Sequence, residues 1–351
     1  MTYAGIKKLA FKYLWYIFIP ISIWLYLAHF NSISIFIFAL LAIIPLTSNI
    51  SKSTHQLSLR TSTVVGSLLN ATFGNAIEFI IAIFAIQAGL VALVKASIIG
   101  SIILNILLLI GLSILFGGLK YRDQIFNRAS AGVASTMLII AVAGLSLPTI
   151  YAVITDKSAI IMSRAVSITL GITYLLSLLF VLLTHRHLFV AQRDTTKQLI
   201  WGLKKSVLVL LVSIGFAAIE SHILVEALQP IINATQIHET FVGLVIIAII
   251  TNIPEHLAAI GYGRRNNITL SMEIGMNSAI QIALFVAPVL VFISPLMACE
   301  MSLAFTPFQI IAMILSVMII NYIGADGICN WFEGVQLVAV YIIIAIAFYF
   351  I

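Results

Sequence analysis

Gly74-Asn75-Ala76-Ile77-Glu78 and Thr251-Asn252-Ile253-Pro254-Glu255 are the same short phrase written twice, each inside a long apolar stretch. A carboxylate at membrane depth costs about 2.5–3.5 kcal/mol or more, so it is kept only where it has a partner. Two such carboxylates in matching contexts predict one shared site. The natural partner for both is a cation.

The surroundings make membrane depth the right frame. Of the 351 residues 62% are hydrophobic and only 9% charged, and the mean hydropathy is +1.17. A soluble domain carries roughly a quarter charged residues. Apolar runs recur along the chain at close to the roughly 20 residues that span a bilayer. The alternation of a membrane barrel strand is absent. The expectation is an all-α polytopic membrane protein with eleven spans: 13–29, 33–50, 63–89, 92–117, 132–152, 163–184, 206–228, 239–262, 268–293, 305–323 and 332–350. The boundary of 33–50 is set by Pro45, Ser48 and Asn49.

With the N-terminus inside, fifteen of the 18 basic residues fall in inside segments. Only Lys95, Lys157 and Arg164 fall outside. This is the positive-inside bias, and it puts the C-terminus outside. The net charge of +6 is therefore an orientation signal, and nothing points to nucleic acid. The first span lacks an A-x-A cleavage site, so it reads as a retained helix. Cys299 and Cys329 lie in loops on opposite sides, too far apart to pair, and neither has metal-ligand spacing.

The repeat extends beyond the two phrases at a constant offset of 177. Asn75 maps to Asn252, Glu78 to Glu255, and Ser101 to Ser278, each serine 23 residues after its glutamate. Five spans separate the third from the eighth, so the halves must run in opposite senses. Inverted repeats with interrupted helices at the midplane are the architecture of many secondary transporters. The chain divides accordingly. Residues 1–31 form a peripheral helix, 32–185 a first five-helix repeat, 186–205 a cytoplasmic linker, and 206–351 a second, inverted five-helix repeat. Gly66 and Gly74 interrupt the first repeat before Glu78. Pro254 cannot donate to the carbonyl of Ile250, which frees that oxygen for another partner.

Side-chain oxygens dominate the predicted site: Glu78, Glu255, Asn75, Asn252, Ser101, Ser278 and Gln281, with Asn105, Glu273 and the Ile250 carbonyl as further candidates. Oxygen-only ligation suits a hard cation, and six to eight oxygens suit Ca²⁺. Softer metals favour Cys or His. His256 points about 100° away from Glu255 and is left out. Two carboxylates neutralise one Ca²⁺. Without the ion, two close anions take up protons. Ca²⁺ and H⁺ are then alternative loads of one carrier, Ca²⁺ is a transported ion, and no cofactor is implied. Glu220 and His222 are read as pairing with each other or with the lipid boundary, with a proton role as the alternative, and Glu226 as a surface acid. Asp326 and Glu333 are read as capping and ordering the last loop.

These residues resemble the cation/proton exchanger family, the Ca²⁺/H⁺ antiporters, within the wider cation/Ca²⁺ exchanger superfamily. Gly66-Ser67-Leu68-Leu69-Asn70-Ala71-Thr72-Phe73-Gly74-Asn75-Ala76-Ile77-Glu78 is similar to the family's first repeat signature. Asn252-Ile253-Pro254-Glu255-His256, with Gln281 to Pro288, is similar to the second, and Asp326-Gly327 with Asn330 to Gly334 to the segment before the last helix. The resemblance implies that the two repeat glutamates bind Ca²⁺ and carry protons. It departs from the family pattern at Thr251 and Pro254, where small residues are usual, and at Asn277, where the family has glycine. A Pro-Glu pair is similar to the sodium/calcium exchanger branch, so Na⁺ or K⁺ stays open as counter-ion. The linker is basic, with Asp194 its one acid, so regulation by an acidic loop is not implied. A cation channel is the weaker alternative, because a channel usually builds its filter by oligomeric symmetry. No H-E-x-x-H or G-x-S-x-G motif points to an enzyme. Short loops favour a bacterial plasma membrane, with the lipid bilayer as a partner and a homo-oligomer left open.

Overall fold

The computed structural model describes residues 14–61, 63–185, 199–235, 238–297 and 299–350. Lys7, Lys8, Lys12, Arg186, Arg193, Asp194 and Lys197 lie outside the described residues. The chain is helical almost throughout. Among the described residues, seven helices are long and apolar enough to cross a membrane, or nine if each of two bent pairs is one span, and two apolar helices are shorter. These eleven segments overlap the eleven predicted spans, and the ends differ most in the second.

The helices divide into two compact units, each built from two stretches of chain: Met1–Ala88 with Leu199–His238, and Gly89–Gln198 with Glu239–Ile351. The first unit holds α1 (Phe18–Leu27), α2 (Ser32–Ser58), α3 (Thr63–Gly74), α4 (Ala76–Gln87) and, from the second stretch, α8 (Leu203–Ala234). α8 packs along α2 and also against α1 and α4. Asn31 caps α2 by accepting the Ser34 N–H at 2.8 Å, which answers one of the unpaired donors of a helix start.

The predicted end of the second span near residue 50 is corrected here: α2 continues to Ser58 through Pro45. The polar residues that argued for a stop have partners instead. Thr47 Oγ1 donates back to the Ile43 and Ile44 carbonyls, Tyr16 donates to Asn49 Oδ1 at 2.7 Å, and Lys52 donates to Ser48 at 2.7 Å. Satisfied polar groups do not end a helix.

The second unit holds α5 (Val91–Gly118), α6 (Arg128–Thr155), α7 (Ile160–Thr184), α9 (Glu239–Thr251), α10 (Ile253–Gly263), α11 (Ile268–Leu296), α12 (Pro307–Ile323) and α13 (Trp331–Tyr349). α5 is its axis: 83% of its apolar window is buried, against 17% for α7. Glycines let helices meet backbone to backbone there. A methyl group added at Gly243 of α9 would stand 2.5 Å from the Leu93 carbonyl of α5, and one at Gly275 of α11 would stand 2.7 Å from the Asn105 carbonyl. Gly100 meets the Leu244 backbone just as closely.

Loops predicted to share a side do meet within each unit. β1 (Gln124–Ile125) pairs antiparallel with β2 (Ile328–Cys329). At the other end Lys95 donates to the Ala304 carbonyl at 2.7 Å, and Arg164 pairs with Glu300 at 3.2 Å. In the first unit Gln56 Oε1 accepts the Ile200 and Trp201 N–H groups, while Tyr26 donates to Glu226 at the opposite end of α8. Asn330 and Glu333 form a capping box at the start of α13, and Asp326 accepts the Ile328 N–H, as their predicted roles require.

Candidate functional site

Both signature phrases lie at breaks in helices. α3 gives way to α4 at Asn75, with φ −106° and ψ 25°, and the segments on either side are bent by 46°. α9 gives way to α10 at Asn252, with φ −97° and ψ 7°, and the bend is 59°. Each asparagine therefore stands between two half-helices, and each glutamate is the third residue of the second half. Gly74 and Pro254 explain the breaks locally. Glycine weakens a helix, and Pro254 is favoured in the first turn of α10, where its missing N–H costs nothing. Placing a carboxylate in a first turn is also favoured by the helix dipole.

A second correspondence begins 26 residues beyond Glu78 and 27 beyond Glu255. α5 widens into a π turn over Leu104–Leu109, and α11 widens into one over Ile282–Val286. Shifted by 177, the first would cover 281–286. π turns of this kind concentrate at functional sites because they re-aim a side chain without ending the helix.

The second unit brings four of the candidate residues together by hydrogen bonds. Asn252 Nδ2 donates to the Ala248 carbonyl at 3.0 Å, to Thr251 Oγ1 at 3.1 Å and to Ser101 Oγ at 3.3 Å. Its Oδ1 accepts from Asn105 Nδ2 at 3.1 Å, and the same Nδ2 reaches Ser278 Oγ at 2.9 Å. The Ala248 carbonyl can only accept, so it sets the orientation of Asn252, and Asn252 in turn sets that of Asn105. The chain of constraints ends on Asn105 Oδ1, a fully buried acceptor that receives no hydrogen bond among the described residues. Such an oxygen is costly unless something electropositive meets it.

The remaining candidates are placed as follows. Glu255 is half-buried, three residues past Asn252, and Gln281 is half-buried, three residues past Ser278. Ile250 lies in the last turn of α9. Glu273 accepts from Ser130 Oγ at 3.1 Å, toward the β-ladder end of α11. Asn75, buried, and Glu78, half-buried, belong to the first unit. His256 turns back to bond the Asn252 carbonyl through Nδ1 at 2.8 Å. Among the described residues no three His, Cys, Asp or Glu side chains gather as a metal cluster. The oxygens collected around Asn252 are amide and hydroxyl oxygens.

Two features were not foreseen. Thr251 supports Asn252, anchored by its own bond to the Ile247 carbonyl at 3.1 Å. Its position beside Asn252 in the repeat was the available signal. Glu220 and His222 do not pair with each other, because residues two apart face different sides of a helix. Both Glu220 oxygens lie 2.7 Å from Ser22 Oγ on α1, while His222 pairs with Glu226 at 3.3 Å. Nothing in the local sequence links residues 198 positions apart.

Comparison with known proteins adds an independent line. The family model described as "Sodium/calcium exchanger protein" matches two stretches, residues 31–183 and 205–350. A Ca²⁺/H⁺ antiporter of Aphanothece halophytica is 37% identical over 356 residues, covering 95% of each chain. The Ca²⁺/H⁺ antiporter ChaA of Bacillus subtilis is 37% identical over 337 residues, covering 94% of this chain and 96% of its own. The solved structure of native YfkE superposes with a TM-score of 0.84 at 34% identity, covering 96% of this chain and 100% of that one.

Proposed function

This chain belongs to the sodium/calcium exchanger protein family, and from that premise we propose that it is a secondary antiporter exchanging Ca²⁺ for H⁺. Glu78 and Glu255 are the charged ligands. Each sits in the first turn of a half-helix that follows an asparagine break, and that paired placement is the observation that carries the reading. Asn75, Asn252, Ser101, Ser278 and Gln281 contribute neutral oxygens, and the orphaned Asn105 Oδ1 supplies another. Oxygen donors with two negative charges suit Ca²⁺.

Charge balance supplies the coupling. With Ca²⁺ bound the two carboxylates are neutralised. With the ion gone, carboxylates that share a low-dielectric site favour protonation. The carrier is then neutral whether loaded with Ca²⁺ or with protons, and the simplest exchange is two protons per Ca²⁺. Access alternates as one repeat moves against the other around the broken helices. The family match in two stretches supports a division into repeats of 32–185 and 206–351. The distribution of basic residues supports an N-terminus in the cytoplasm.

One observation favours a second reading. Pro254 beside Glu255 is similar to the sodium-coupled branch, in which Na⁺ or K⁺ replaces H⁺. Uptake of ⁴⁵Ca into inverted vesicles, with an imposed pH or Na⁺ gradient, separates the two. The expected result is uptake driven by the pH gradient and abolished by Glu78→Gln or Glu255→Gln. Uptake that survives both substitutions overturns the site.

A further inference from the structure

Glu220 is a fully buried acid in α8, and it has no place in the exchange mechanism above. Its two oxygens each lie 2.7 Å from Ser22 Oγ, and Ser22 is also fully buried. The same hydroxyl lies 2.9 Å from the Ile19 carbonyl. A serine hydroxyl has one hydrogen to give. If it goes to Ile19, the short contact to Glu220 needs a hydrogen on the carboxyl. If it goes to Glu220, the carboxyl accepts, as an ionised carboxylate does. The pair therefore has a hydrogen-bonded geometry for each protonation state, and one proton converts one into the other.

Further polar groups follow on the same two helices. One helical turn beyond Ser22 on α1 stands Tyr26, half-buried, donating to Glu226 at 2.5 Å. Glu226 is exposed and pairs with His222 at 3.3 Å. Burial thus falls stepwise from Ser22 and Glu220, through Tyr26, to Glu226 and His222. α4 packs on the other side of α8, where the Phe84 ring lies 5.4 Å from His222. Glu78 is six residues before Phe84, roughly 9 Å along the helix. It is the one ionisable group that α4 brings toward Glu220. On α2, Lys52 and His55 stand next to Gln56, at the end where α8 begins. Glu220 is seventeen residues into α8, roughly 25 Å away. Among the described residues no Lys, Arg or His nitrogen forms an ion pair with Glu220.

We propose that Glu220 is a third intramembrane proton-binding group, a staging point between the Tyr26–Glu226–His222 cluster at the end of α8 and the level of Glu78. It rests on the exchange reading for its role, but its capacity to bind a proton can be tested apart from transport.

The test uses the purified full-length protein, as wild type and as Glu220→Gln, Glu220→Asp, Ser22→Ala and Glu78→Gln. The first readout is the infrared carbonyl stretch of protonated carboxyl groups as the pH is raised from acid to alkaline. One titrating component is expected to vanish in Glu220→Gln, to shift in Ser22→Ala and to persist in Glu78→Gln. The second is ⁴⁵Ca flux in liposomes under a pH gradient. Glu220→Gln is expected to lower it by about a hundredfold, the low end of what one proton-transfer group supplies. Glu220→Asp should restore part of the flux, and equilibrium Ca²⁺ binding should stay unchanged. Full flux with a wild-type pH profile in Glu220→Gln overturns the staging role, and an unchanged infrared titration overturns the proton site itself. Should Glu220→Gln fail to fold, the Ser22→Ala titration decides: no shift overturns the site. Wild-type protein without proton-coupled flux overturns the exchange reading and with it the staging role, while the infrared titration still judges Glu220.

Discussion

Asn105 donates its Nδ2 to Asn252 Oδ1 at 3.1 Å, and so ties the π turn of α5 to the break between α9 and α10. One amide thereby links two irregularities of the second unit. It also holds Ser278 at 2.9 Å and leaves its own oxygen unpaired.

Asn105→Leu removes that link and buries the Asn252 oxygen without a donor. The cost of such an orphan is about 1–3 kcal/mol, and thermal unfolding of the solubilised protein should register it. The lost acceptor should also raise the Ca²⁺ concentration for half-maximal uptake by about tenfold, equivalent to ~1.4 kcal/mol. An unchanged half-saturation would remove Asn105 from the ion site.

Gly243→Ala places a methyl group 2.5 Å from the Leu93 carbonyl, against backbone that cannot swing aside. Overpacking of this kind costs roughly 1–3 kcal/mol. Gly132 meets nothing within 4 Å, so Gly132→Ala should be neutral or stabilising. Equal melting temperatures for the two variants would contradict the close crossing of α5 and α9.

Cys329 is fully buried in β2, and burial first, then the nearby Glu333 and Asp326 charges, push its thiol up to about 12. The thiolate reacts, so maleimide at neutral to mildly alkaline pH should modify half-buried Cys299 and spare Cys329 until the protein is unfolded. Because the folded value is raised, the unfolded thiol ionises first. This group therefore favours unfolding as the pH climbs past the ordinary cysteine range. A membrane-impermeant maleimide should reach Cys299 from the outside only, and labelling from the cytoplasmic face would reverse the assigned orientation.

Arg164 and Glu300 pair at 3.2 Å with both side chains more than two-fifths exposed. Exposed pairs contribute less than about 1 kcal/mol. Arg164→Ala, Glu300→Ala and the double variant should melt within a few degrees of the wild type. A double-mutant cycle with a larger coupling would show that this loop contact holds α7 in place.

Much of the architecture was legible because it is written in local chemistry. Runs of apolar residues mark spans, and Gly74 and Pro254 mark places where a helix cannot continue undisturbed. Asn330 and Glu333 announce a capped start. The second span was cut short at residue 50 because Pro45, Ser48 and Asn49 look like a stop. Whether they stop a helix depends on whether distant groups satisfy them, and Tyr16 does so for Asn49. The partner of Glu220 is hidden from the sequence for the same reason. His222, two residues along, faces another side of the helix, and the hydroxyl that meets Glu220 stands on α1.

The sequence alone determined the helical membrane class, the number of segments and the 177-residue echo that puts an asparagine and a glutamate at each break. Those properties follow from composition, spacing and backbone preference, which act over a few residues. Only the tertiary structure decided which oxygens meet, which acceptor is left over at Asn105, and which hydroxyl holds Glu220. Hydrogen bonds between residues more than a hundred positions apart depend on how helices cross. At Gly100 and Gly243 that crossing is set by backbones in contact, a distance that no reading of neighbours along the chain contains.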